Sequence, residues 1–171
     1  MKNDRGFTLI ELIVVIAILG VLLGVASYSI GYVSTTKAKN FSTKLSALIS
    51  QCRVDTLSGS PADTYLEVTL EDDGYYGTLY EGKKDDSPVV KSREKLGPKN
   101  LSCTYIEDIE DGTTKTVDDT GNNNIKVSFT RATGAFSSNV TQIDVATGAG
   151  GYTISLVQTT GYHTVARQGG A

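Results

Sequence analysis

Tryptophan is absent from the sequence, and histidine occurs once, as His163. Cys52 and Cys103 are the only cysteines. These three residues cannot supply the four Cys/His ligands of an ordinary structural zinc site. A Ser-His-Asp hydrolase would have to be built on His163. Proline is scarce, with 3 in 171 residues. The 18 glycines suit turns and strand ends, not a collagen repeat or a Pro-rich linker. Basic residues are also in deficit: Lys+Arg total 16 against 19 Asp+Glu, a net charge of -3. That balance argues against a nucleic-acid partner held by overall phosphate neutralisation. The length suits one domain.

What the chain does have is one long apolar run. Leu12 to Ala26 contains no charged or strongly polar side chain, and from Phe7 to Ile30 the only charge is Glu11. Those 24 residues exceed the roughly 20 that a helix needs to cross a hydrocarbon core. Lys2 and Arg5 precede the run, against Asp4, which favours a cytoplasmic N-terminus and places the chain beyond Val33 outside. Three readings fit. One is a signal peptide removed after Ala26, since Gly24-Val25-Ala26 offers the small residues such a site needs. Another is a plain membrane anchor. The third starts from Glu11, because an intramembrane carboxylate is costly and points to a function.

The string Arg5-Gly6-Phe7-Thr8-Leu9-Ile10-Glu11-Leu12, running on through IVVIAILGVLLG, resembles the N-terminus of type IV prepilins and type II secretion pseudopilins. The resemblance implies cleavage between Gly6 and Phe7 by a prepilin peptidase and N-methylation of Phe7. It implies that Glu11 attracts the new terminal ammonium of a neighbouring subunit. Amine and carboxylate are each costly in an apolar bundle and cheaper as a pair. It also implies an α+β pilin fold, a long N-terminal helical spine packed on an antiparallel β-sheet head. The domains expected are a leader (1–6), a membrane or filament-core half-helix (7–33), a head-packing half-helix (34–59) and a head (60–171). The function implied is a structural subunit of a type IV pilus. A minor pilin or type II secretion pseudopilin, and a membrane-tethered binding module that never polymerises, stand as alternatives. Expected partners are other copies, other pilins, the peptidase, the inner-membrane assembly machinery and the membrane. The chain would sit in the cytoplasmic membrane before assembly and in a surface filament afterwards. No catalytic residue, metal or cofactor is expected.

Two stripes organise the helix. Ala17, Gly20, Gly24, Ser27 and Gly31, continued by Ser34 and Ala38, alternate spacings of 3 and 4 and suggest a seam where helices pack closely. The competing reading is the general richness of membrane helices in small residues. Farther on, Phe41, Leu45, Leu48, Ile49 and Cys52 form an apolar stripe suited to covering a head, and Gly59 is a natural stop.

The remainder reads as short strands. Tyr65–Leu70 and Tyr75–Tyr80 suggest a hairpin, and residues 81–100, polar and holding Pro88 and Pro98, read as a long loop. Further strands are expected at Leu101–Ile106, Thr113–Val117, Ile125–Thr130, Ile143–Ala146, Tyr152–Val157 and Gly161–Ala166. KVSFTRATGAF and YTISLVQTTGYHTV are also similar to segments of minor pseudopilin heads. The loop acids (Asp108, Glu110, Asp111; Asp118, Asp119) lack EF-hand spacing and read as solvated loop. His163 reads as a surface side chain. Residues 83–100 carry 6 cations and 3 carboxylates, residues 107–119 the reverse at 1 and 6, which suggests that the two meet between neighbouring heads. Cys52 and Cys103 fall on faces that would both point into a helix–sheet interface, so a disulfide and two buried free thiols are both open.

Overall fold

The computed structural model describes residues 8–59, 64–82, 88–107 and 112–169, with the side chains of residues 25–32 left aside. Helix α1 runs Leu9–Leu57. The chain divides into two units, residues 1–33 and 34–171. In the first, the residues described up to Gly24 are all exposed, Leu9 at 79% and Val21 at 68%. Among the described residues no helix is long and apolar enough to cross a membrane. Within the apolar run the described side chains end at Gly24, short of a full span, and the rest of the run lies outside them.

The second unit holds the remainder of α1 and, among the described residues, nine strands. The helix ends where the sequence places its stop: Ser58 N–H donates to Val54 O at 2.8 Å and Gly59 takes φ +82°, a left-handed turn natural to glycine. Strands β1 (Thr64–Glu71) and β2 (Gly74–Glu81) form the expected hairpin, with Glu71 paired to Gly74 across Asp72-Asp73. The remaining strands are β3 (Val89–Gly97), β4 (Ser102–Ile106), β5 (Thr114–Thr116), β6 (Ile125–Ser128), β7 (Gln142–Thr147), β8 (Gly150–Val157) and β9 (Tyr162–Arg167).

Among the described residues they form two antiparallel sheets, in keeping with the antiparallel head expected from the sequence. One has the order β3-β2-β1-β6 and the other β5-β4-β7-β8-β9. The division comes from pairings distant in sequence, Leu66 with Val127 and Cys103 with Val145. Strand β3 corrects the loop expected over residues 81–100. Its sequence is too polar to show a buried face, and only Leu96 within it is buried. Its ladder with β2 and partners at the turn end of the β1–β2 hairpin hold it instead. Arg93 reaches Glu71 at 2.5 Å and Lys95 reaches Asp73 at 2.6 Å, while Arg93 also lies 4.4 Å over the Tyr76 ring. The two prolines fall outside the strand, which keeps the β2–β3 ladder intact.

The apolar stripe of α1 is buried as its spacing requires. Phe41, Leu45, Ile49 and Cys52 are fully buried together with Leu66, Val68 and Leu79 from one sheet and Cys103, Ile143, Val145 and Ile154 from the other. Gly77 allows the close approach: a Cβ there would meet Leu48 Cδ1 at 2.5 Å.

Candidate functional site

The N-terminal turn of α1 is built by Thr8 and Glu11. Thr8 precedes the first helical residue, and its Oγ1 accepts a hydrogen bond from the Glu11 backbone N–H at 3.3 Å. The spacing Thr8-x-x-Glu11 is that of a capping box, a signal present in the sequence that explains why the helix starts there. Glu11 lies in the first turn, where the helix dipole favours a carboxylate. Its side chain is exposed, so it faces outward from the isolated chain together with Leu9, Ile10 and Leu12. Gly6 and Phe7, the expected cleavage and methylation positions, lie outside the described residues. Of the small-residue seam, Gly20 and Gly24 have open space where a Cβ would stand. Ser27 and Gly31 fall outside the described side chains.

In the head, the two cysteines are buried and free. Cys103 belongs to the Phe41 end of the core: Tyr75 packs edge-on against Phe41 at 5.4 Å and donates its hydroxyl to Leu101 O at 2.9 Å, two residues before Cys103. Cys52 is 11 residues beyond Phe41 on the helix, about 16 Å along its axis, where its Sγ approaches Thr64 O and Val127 O of the other sheet. A disulfide needs its Cα atoms within roughly 4.4–6.8 Å, so the bridge left open by the sequence is not formed. Burial pushes both thiols from 9.0 up to about 12. A raised thiol favours the folded state below the unfolded value and loses that contribution as pH climbs through the folded one. The head should therefore lose stability from about pH 9 upward, as thiols of the unfolded chain ionise first. At pH 8 a maleimide should label neither cysteine in the folded chain and both in denaturant. Labelling of either native thiol within minutes would contradict the burial.

The described charges of the two segments, expected to meet between neighbouring heads, have partners within one head. Lys91 pairs with Asp55 at 3.2 Å, and Arg93 and Lys95 pair with Glu71 and Asp73. Lys99 reaches Asp119 at 3.2 Å, joining the two segments inside one head. Asp118 is turned inward on its own loop by Thr120 and Asn123, which hold its carboxyl below the usual range. Asp108, Glu110 and Asp111 lie outside the described residues. No group of three His, Cys, Asp or Glu able to hold a metal occurs among the described residues.

His163 does more than decorate the surface. Its Nε2 shares a 2.7 Å hydrogen bond with Ser46 Oγ on α1. Burial holds the imidazole below its ordinary value, with Arg53 adding to the effect and Ser46 opposing it. Arg53 itself donates to Gly134 O at 3.1 Å and Thr160 O at 2.9 Å, fastening two turns to the helix. The sequence showed neither contact, because the partners stand 81 and 107 residues away. A cleft of about 400 Å³ is lined by Thr56, Tyr65, Lys126, Ser128 and Arg131 among others. Neither histidine nor cysteine is among its described lining residues.

Residues 1–27 match a family model described as the prokaryotic N-terminal methylation motif. Over 102 residues the chain is 32% identical to the Type II secretion system protein H of Pseudomonas aeruginosa. That alignment covers 56% of this chain and 55% of the relative, so the chain spans about half the length of the curated relative it matches. No solved structure matches the chain. The chain thus carries a prepilin-type N-terminal motif joined to an α+β head.

Proposed function

We propose that the chain is a filament subunit of the pilin and pseudopilin class, processed between Gly6 and Phe7 and assembled through the N-terminal half of α1. The observation that carries this reading is the motif at residues 1–27 continued into a helix whose described residues through Gly24 are all exposed. Such a surface must be covered by lipid or by other helices. Before assembly the run Phe7–Ile30 spans the membrane with its N-terminus inside. Cleavage frees the Phe7 amine, and methylation leaves it cationic. Glu11 of one subunit then pairs with the amine of the next, setting axial register while the small-residue seam lets helices approach. The peptidase, the assembly machinery and other pilins are the partners of this cycle. The head faces outward.

Between the two kinds of filament, likeness to a type II secretion protein favours a pseudopilus, a short fibre serving export, over a surface pilus. The abundance of the subunit in the fibre distinguishes a core from a minor component.

The test uses two variants in membranes containing the peptidase. Gly6→Val should leave the uncleaved precursor, because the peptidase must fit a small residue before Phe7. Glu11→Ala should be cleaved normally yet sediment poorly as filament, by about tenfold or more if the pair contributes about 1.4 kcal/mol or more to each junction. Assembly of Glu11→Ala at the parental level would refute the pairing, and cleavage at another position would refute the processing.

A further inference from the structure

The far edge of β9 is an unassigned feature of the head. β9 closes the order β5-β4-β7-β8-β9, and among the described residues no strand pairs with its other side. The hydrogen-bond phase is fixed at one end, where Gln168 N–H donates to Gly151 O at 2.9 Å. With Tyr152 opposite Arg167, antiparallel alternation then directs the backbone groups of Tyr162, Thr164 and Ala166 toward β8. Those of His163, Val165 and Arg167 point outward. A row of outward N–H and C=O groups is matched by one kind of partner, another extended backbone. Edge strands usually carry Pro, Lys or inward charges against this pairing. β9 has no Pro or Lys, and Arg167 is its only full charge.

The surroundings suit a bound strand. Val54, Tyr162, Leu57 and Val165 are exposed at 63%, 60%, 47% and 42%. A cleft of about 240 Å³ opens between Ser50, Arg53 and Val54 of α1 and Gly161, Tyr162 and His163 of the hairpin, with room for a side chain. The Ser46–His163 bond and the Arg53 contacts hold the template in place before anything binds, which lowers the cost of binding. The other outer strands, β3, β5 and β6, bear Lys91, Arg93, Lys95, Lys115 and Lys126 against the single carboxylate Glu94, an excess of cations that does not complement Arg167 in a pairing of those edges between copies.

We propose that β9 is a strand-addition site for an extended segment of a different protein chain, apolar at alternate positions and bearing a carboxylate to meet Arg167. The added strand would extend the five-stranded sheet over the solvent face of α1.

The test uses the full chain in detergent micelles and a synthetic end-blocked octapeptide of alternating valine and threonine with one glutamate. Amide exchange at His163, Val165 and Arg167 should slow by about tenfold or more on binding, while Tyr162, Thr164 and Ala166, already bonded to β8, stay unchanged. A peptide with lysine in place of the glutamate should bind about tenfold more weakly, and Arg167→Glu should reverse that preference. Val165→Lys, a change that leaves the β8–β9 ladder intact, should abolish protection. Absent protection at the three outward amides overturns the proposal, as does protection that survives Val165→Lys. Protection that grows with protein concentration and no peptide would make the occupant a second copy, also overturning it. Because the measurement is made on the dispersed subunit, it stands or falls independently of Glu11 and filament assembly.

Discussion

Phe41→Ala should cost the head about 3–5 kcal/mol in chemical unfolding of the full chain in detergent, followed by tyrosine fluorescence. Phe41 is fully buried on α1 and meets the edge of Tyr75 at 5.4 Å. It also fills the space above Gly97, where even a Cβ would come within 3.0 Å of the ring and 2.7 Å of Leu101. The packing around it is tight and comes from three elements, so the site cannot collapse into the void that alanine leaves. Phe41→Leu retains most of the volume and should cost less than half as much. Both sheets contribute to the core in which the ring sits, so the loss should appear as one cooperative transition at lower denaturant. A loss under about 1 kcal/mol would mean that α1 is not the keel of the head.

Gly161→Ala is expected to be comparably damaging for a different reason. Gly161 takes φ +66°, and its missing Cβ points at the carbonyl of Gly134, itself at φ +68°. The β8–β9 turn and the turn at Thr130–Gly134 are pressed together there, each tied to Arg53. A methyl group would collide with backbone oxygen, which cannot rotate away. Gly121 supplies the control: it has φ +75° with open space around it. Gly121→Ala should show the left-handed penalty alone, about 1 kcal/mol. Gly161→Ala should exceed it by about 2 kcal/mol or more and should expose His163, visible as a rise of the imidazole toward its ordinary titration as the burial that depresses it is lost. Equal losses for the two variants would show that the turns do not depend on each other.

Much of this protein was legible in order along the chain. The apolar run, the second stripe through Phe41, Leu45, Leu48, Ile49 and Cys52, and the glycine stop are local periodicities, and helices are held by contacts three and four residues apart. The hairpin at Glu71–Gly74 and the strands at Ile125, Gln142 and Gly150 carry alternation that burial on one face requires. The N-terminal motif is likewise a contiguous string.

The sequence by itself therefore determined which segments become helix or strand wherever an apolar face must be buried, and which end of the chain carries the prepilin-type motif. Only the tertiary structure decided that β3 is a strand, since its partners are Glu71, Asp73 and Tyr76 on the neighbouring hairpin and its own side chains stay polar. Only there do Lys91, Arg93 and Lys95 turn out to be paired within the head, the two cysteines to lie along different stretches of the core, and His163 to rest on Ser46. The division into two sheets and the open side of β9 belong to the same class. Each depends on which distant segments pair, and that choice is made by how the whole chain excludes water around one helix, not by any local pattern.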